Sequence, residues 1–189
     1  MAAHPRTTYT VAEYLAFERA SETKHEYVAG ELYAMAGAKE AHNLIVGNSL
    51  SWLRPQLRGS GCRIYASDMR VKVDALGIYT YPDLVVACGT PQLEDSGSDT
   101  LLNPVLLAEV LSPSTAAYDR GLKFRRYQLI PTFAEYLLIA QDRPLVELRQ
   151  CQPDGEWTSV TYATLADTLT LTTISATLPL AAIYEDVAW

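Results

Sequence analysis

Apolar and polar positions change period several times along the chain, and each change predicts an element. Thr10 and Glu13 have the spacing of a capping box, and Val11, Tyr14, Leu15 and Phe17 then give a short helix its apolar side. In HEYVAGELYAM the two classes partly alternate around Ala29 and Gly30, a small-residue pair suited to a two-residue hairpin turn. Val46, Leu50, Leu53 and Leu57 recur at steps of four, three and four, which predicts a second helix from about Lys39 to Leu57, with Pro55 distorting its last turn.

From Cys62 the period falls to two. CRIYAS and MRVKVDA predict a strand pair with one wet face, because Met69, Val71 and Val73 alternate with Arg70, Lys72 and Asp74. DLVVAC and PVLLAEVL are nearly unbroken apolar runs, as central strands covered on both faces require. TPQLEDSGSDTLLN between them reads as an exposed loop. A helix is expected from Ser114 to about Leu129, with Leu122, Tyr127 and Leu129 among its apolar contacts and Pro131 as its stop. FAEYLLIA, PLVELRQC and EWTSVTY predict three more strands, followed by a Thr/Leu-rich tail and a short terminal segment, LPLAAIYEDV. The order implies one α/β domain over residues 1–189, with a mixed, twisted sheet flanked by helices and extra C-terminal strands.

Composition agrees with a folded domain. The chain is 49% hydrophobic and 20% charged, with a mean hydropathy near zero. No apolar stretch approaches the ~20 residues of a spanning helix, and the opening MAAHPRTTYT lacks an apolar leader. Cys62, Cys88 and Cys151 are an odd, scattered set, expected as reduced thiols of a cytoplasmic protein. A net charge of -7 argues against broad phosphate neutralisation, but a divalent cation can bridge carboxylates to a phosphodiester locally.

Glu109 interrupts the apolar run PVLLAEVL at its centre. Burying it unpaired costs several kcal/mol, so it must be protonated, paired or metal-bound. Asp83 opens the other buried run, in YPDLVVA. If the two strands are neighbours, their carboxylates repel and a cation becomes the natural third partner. The plainer expectation is that Asp83 caps a turn and Glu109 pairs with a helix arginine such as Arg120. Strand alternation puts Leu111 on the Glu109 face, where it supplies no charge. The next lysine is Lys123, and Asp119, Lys123 and Tyr127, at steps of four, share a helix face. Arg120, Lys123, Arg125 and Arg126 form a basic run, read as a solvated face or as a place to hold a nucleic-acid backbone. His42, four residues before Val46, projects from the core side of the second helix. His4 and His25 are given no role.

Y-P-D-L-V-V, L-A-E-V-L-S-P-S-T and D-R-G-L-K-F-R-R-Y, preceded by Y-V-A-G-E-L-Y-A-M and A-H-N-L-I-V-G, together resemble the Uma-two family of restriction-endonuclease-like proteins. Members of that family look like PD-(D/E)XK nucleases, and the resemblance runs from about Thr10 to Leu180. It implies an αβββαβ core, with the proline-aspartate element on Pro82 and Asp83 and the second acid on Glu109. The usual lysine slot falls on Leu111, and the resemblance implies that Lys123 takes the role. It also implies His42 beside the site and matches Glu31 to its G-E-L element, although a residue just after the Gly30 turn reads by itself as a hairpin-edge charge. The activity implied is Mg²⁺-dependent (Mn²⁺ substituting) hydrolysis of phosphodiester bonds in DNA. Asp83, Glu109 and the Val110 carbonyl would hold the metal. A symmetric homodimer would serve a duplex, since each chain has one site and the late strands leave an edge. The rival expectation is an inactive module of the same fold that binds nucleic acid or a protein partner.

Overall fold

The computed structural model describes residues 8–188. Helix α1 (Val11–Ala20) starts where expected: the Thr10 side chain accepts the Glu13 N–H, and the Glu13 carboxylate accepts the Thr10 N–H. Strands β1 (His25–Val28) and β2 (Glu31–Ala34) turn through Ala29 and Gly30, whose φ values of 51° and 89° are the left-handed pair of a tight hairpin. Helix α2 (Glu40–Gln56) buries Ile45, Ser49 and Leu53, and Leu57 is buried just past its end. Leu53 and Leu57 hold as predicted, while in the first half Ile45 and Ser49 take the buried line and Val46 and Leu50 flank it half-buried. Strands β3 (Cys62–Ala66), β4 (Arg70–Val73), β5 (Ile78–Thr80), β6 (Leu84–Cys88), β7 (Thr100–Leu101) and β8 (Leu106–Leu111) follow.

Strands β8 and β9 (Glu135–Ala140) are parallel, and the helical stretch between them is the crossover that a parallel pair requires. That stretch consists of α3 (Ala116–Tyr118), a π-helical turn (Asp119–Lys123) and α4 (Phe124–Tyr127). The unbroken helix expected from Ser114 to Leu129 is therefore shorter and contains a π turn. Leu122 and Leu129 face solvent instead of the core. The chain closes with β10 (Val146–Cys151), β11 (Trp157–Tyr162), the hairpin β12 (Thr168–Leu171) and β13 (Ala176–Pro179), and α5 (Leu180–Ile183).

One mixed sheet has the order β11-β10-β9-β8-β6-β3; a second runs β2-β1-β5-β4-β7. The expected core maps onto α2, β3, β6, β8, the helical crossover and β9. Helix α2, the β12–β13 hairpin and α5 cover one face of the larger sheet. The second sheet and the crossover cover the other, where Val71, Val73 and Ile78 meet Val85, Leu107 and Tyr136. Strands β3 and β4, expected as a pair, sit in different sheets. The wet face assigned to β4 is also absent, because Arg70 is buried and donates to Thr100 and Tyr81.

The expectation of three reduced cysteines is overturned. Antiparallel pairing of β3 with β6 puts Cys62 directly opposite Cys88, Cα to Cα 3.9 Å, and the two form a disulfide; Cys151 is a free thiol. Only the strand register brings together residues 26 apart in sequence. Among the described residues, no helix is long and apolar enough to cross a membrane.

Candidate active site

The antiparallel register of β6 with β8 pairs Leu84 with Ala108. Extending it by one pair sets Asp83, just before β6, opposite Glu109 in β8. Asp83 thus lies at the start of its strand, as its place at the head of the apolar run predicts. Its Oδ2 accepts the Val110 N–H at 2.7 Å, and its Oδ1 lies 3.1 Å from Nε2 of His42 in the first turn of α2. A strand residue's N–H and C=O share an edge, so the Val110 carbonyl points to the Asp83 side of β8 as well.

Alternation along β8 sends Leu107, Glu109 and Leu111 to one face and Ala108 and Val110 to the other. Leu111 is core, packed in the same cluster as Tyr136 and Leu138, so the strand presents no cation beside Glu109. The cation arrives from the crossover. Asp119, Lys123 and Tyr127 all turn inward, and Lys123 Nζ lies 2.8 Å from Glu109 Oε1. The same oxygen accepts a hydrogen bond from the Tyr127 hydroxyl at 2.8 Å, and that hydroxyl lies 2.8 Å from Thr80 Oγ1. Glu109 therefore pairs with Lys123 and not with Arg120, whose partner is Glu147 at 2.6 Å. The plainer reading of Asp83 as a turn cap also yields, since its carboxylate reaches across to β8 and α2.

Lys123 Nζ additionally meets Glu26 Oε1 at 3.3 Å and Asp119 Oδ1 at 3.8 Å. Glu26 was not foreseen. It sits on β1, and only the packing of the second sheet against the crossover brings it in; no local spacing signals it. Asp83, Glu109, Asp119 and Lys123 are only 8, 5, 4 and 5% exposed. Burial pushes the Glu109 carboxyl well above the usual carboxylate range, against the pull of Lys123, and it raises Asp119 too. For Lys123, burial works against the charge, but Glu109 and Glu26 outweigh it and hold the ammonium protonated. Three carboxylates, those of Glu109, Glu26 and Asp119, thus share one ammonium, with Asp83 beside Glu109.

The basic run does not form one solvated face. Lys123 is buried, Arg120 is paired, Arg126 donates to the Tyr118 hydroxyl, and Arg125 is the exposed member. The Glu31 carboxylate accepts from Tyr33 within its own hairpin. His25 Nδ1 contacts Glu18 at 3.0 Å, tying β1 to α1, and His4 lies outside the described residues.

A family model described as "Putative restriction endonuclease", Uma2, matches residues 11–181. The chain belongs to the Uma2 family. Two Synechocystis proteins are similar in sequence to this Uma2 chain. One, named Uncharacterized protein slr1290, is 35% identical over 177 residues, covering 94% of this chain and 92% of that protein. The other, Uncharacterized protein sll1609, is 38% identical over 148 residues, covering 78% and 84%. A crystal structure from Anabaena variabilis, described as "a putative nuclease belonging to DUF820", superposes with a TM-score of 0.69 at 16% identity, over 93% of this Uma2 chain and 97% of that one. At that identity the match establishes the fold, and the mixed α/β nuclease-type architecture expected from sequence holds.

Among the described residues, no group of three or more His, Cys, Asp or Glu side chains is close enough to hold a metal ion. The donors available are the two carboxylates of Asp83 and Glu109 with the Val110 carbonyl. All are hard oxygens, and one or two carboxylates completed by water and phosphate is the ordinary Mg²⁺ arrangement.

Proposed function

We propose that this Uma2 chain is a metal-dependent endonuclease that hydrolyses phosphodiester bonds in DNA. The reading rests on one observation: Asp83 and Glu109 stand side by side from adjacent buried strands, with the Lys123 ammonium 2.8 Å from Glu109. Mg²⁺, or Mn²⁺ in its place, would neutralise phosphate charge and acidify a bound water when held there. The protein groups do the positioning. The Val110 N–H and His42 fix the Asp83 carboxylate, and Tyr127 fixes Glu109. Lys123 offers the positive charge that a strand lysine would otherwise bring to the phosphate as its charge grows. One such site per chain suits a homodimer acting on a duplex.

Leu111 favours a second reading. With an apolar residue in the usual lysine slot, the chain could keep the fold as an inactive module that binds nucleic acid or a protein partner. Thermal melting and plasmid cleavage separate the two. Mn²⁺ should raise the wild-type melting temperature by roughly 5–10 °C near saturation. Asp83→Asn should abolish that rise, and Glu109→Gln should lower cleavage by ~10²-fold or more. A wild type that ignores the metal and cuts no duplex, branched or single-stranded DNA gives the field to the second reading.

A further inference from the structure

The outer strand of the larger sheet, β11, is unlike the other edges of the two large sheets. Strand β2 is four residues long and carries Glu31; β7 is two residues long, with Leu101 bridged by Leu93; β3 carries exposed Arg63 and is tied down by the Cys62–Cys88 disulfide. Charges, shortness and covering chain are how proteins keep sheet edges from pairing. Strand β11, WTSVTY, has none of these. It is six residues long, uncharged and free of proline, with Thr158, Ser159, Val160 and Thr161 exposed and Val160 at 46%.

The phase of its hydrogen bonding follows from the turn. The Gln152 N–H bonds to the Glu156 carbonyl at 2.7 Å, so Gln150–Thr158, Leu148–Val160 and Val146–Tyr162 are the bonded pairs of the β10–β11 ladder. The N–H and C=O groups of Trp157, Ser159 and Thr161 then point outward, and among the described residues none of them has a partner.

We propose that β11 pairs antiparallel with β11 of a second copy, about a two-fold axis through Ser159. In this register Ser159 faces Ser159 of the partner subunit, and Trp157 faces Thr161 of the partner subunit. Every outward N–H and C=O of those residues is satisfied. Val160 covers Thr158 of the partner subunit, a β-branched pair on a shared face. Glu156 falls opposite Tyr162 of the partner subunit, so no like charges meet. The two large sheets become one continuous sheet. The proposal supplies a surface for the dimer invoked above, but stands on the strand alone and holds whether or not the site is catalytic.

Sedimentation of the full chain over a range of concentrations tests it. The wild type should approach twice the 20.9 kDa chain mass as concentration rises. Ser159→Pro removes an N–H that the β10 ladder does not use, so it should leave far-UV circular dichroism and melting unchanged while giving a monomer. Val160→Lys, at an exposed side chain, should also give a monomer, and it decides the matter if the proline variant fails to fold. A wild type at single-chain mass throughout, or a folded Val160→Lys that dimerises like wild type, overturns the proposal.

Discussion

Replacing Lys123 with methionine keeps the length of the side chain and removes the charge that Glu109, Glu26 and Asp119 share. The ammonium is 2.8 Å from Glu109, and both groups are about 5% exposed, so solvent cannot replace it. Breaking a buried ion pair from one side typically costs about 3–5 kcal/mol, because the remaining carboxyl stays desolvated or must take up a proton. Against a total stability of about 5–15 kcal/mol that is a large loss. With a urea slope near 2 kcal/mol/M, it moves the unfolding midpoint down by roughly 2 M. Adding Glu109→Gln to Lys123→Met removes the stranded carboxylate, so the double variant should be more stable than Lys123→Met alone. That inverts the order expected of independent sites. Urea titrations of wild type, both single variants and the double variant give the coupling directly. A Lys123→Met protein within about 0.5 kcal/mol of wild type, or strictly additive losses, would refute the view of Lys123 as the counter-ion of a buried carboxylate cluster.

Two further outcomes follow from charges and links away from the site. Arg19, with Arg70 beside it, holds the Asp99 carboxyl well below the usual carboxylate range. A depressed folded-state value stabilises at neutral pH and is lost as pH falls through and below the ordinary carboxylate range, so Asp99→Asn should flatten the acid side of a melting-temperature profile. Because Asp99 is about one-third exposed the effect should stay small, and identical acid slopes in the two proteins would count against it. The Cys62–Cys88 link spans 26 residues, a loop worth about 3–4 kcal/mol in the chain-entropy account, so reduction should lower the melting temperature by roughly 10 °C. Three titratable thiols in unreduced protein would remove the bond from the description.

Much of the fold was legible because its signals are local. The Thr10–Glu13 box, the Ala29–Gly30 turn and the apolar runs of β6 and β8 all depend on residues within a few positions of one another. What sequence hid depends on which sheet a strand joins. Arg70 and Lys72 in β4 read as the wet face of a strand paired with β3. In the structure β4 leaves for the second sheet, where Arg70 finds Thr100, Tyr81 and Asp99. The disulfide was hidden for the same reason, since Cys62 meets Cys88 only through the β3–β6 register. The π turn is subtler. Steps of four from Asp119 to Lys123 to Tyr127 predicted an inward face correctly, but not the local widening that leaves Leu122 outside.

The site divides along the same line. Asp83 and Glu109 announce themselves because a carboxylate inside an apolar run demands a partner, and Lys123 because it shares a face with Asp119 and Tyr127. Glu26 carries no such mark: it alternates with buried Tyr27 in a short strand, as a solvent-facing acid would. Its presence changes the chemistry that can be argued. One ammonium and two carboxylates would make a nearly balanced cluster, satisfied without any guest. With Glu26 and Asp119 added, three carboxylates share Lys123, and burial already pushes Glu109 and Asp119 toward their neutral forms. A cluster kept only for stability gains nothing from that surplus, and well-packed apolar residues would hold the sheets together at least as well. The surplus is what a divalent cation would relieve, and Lys123, already on Glu109, would then be free to turn its charge toward a phosphate.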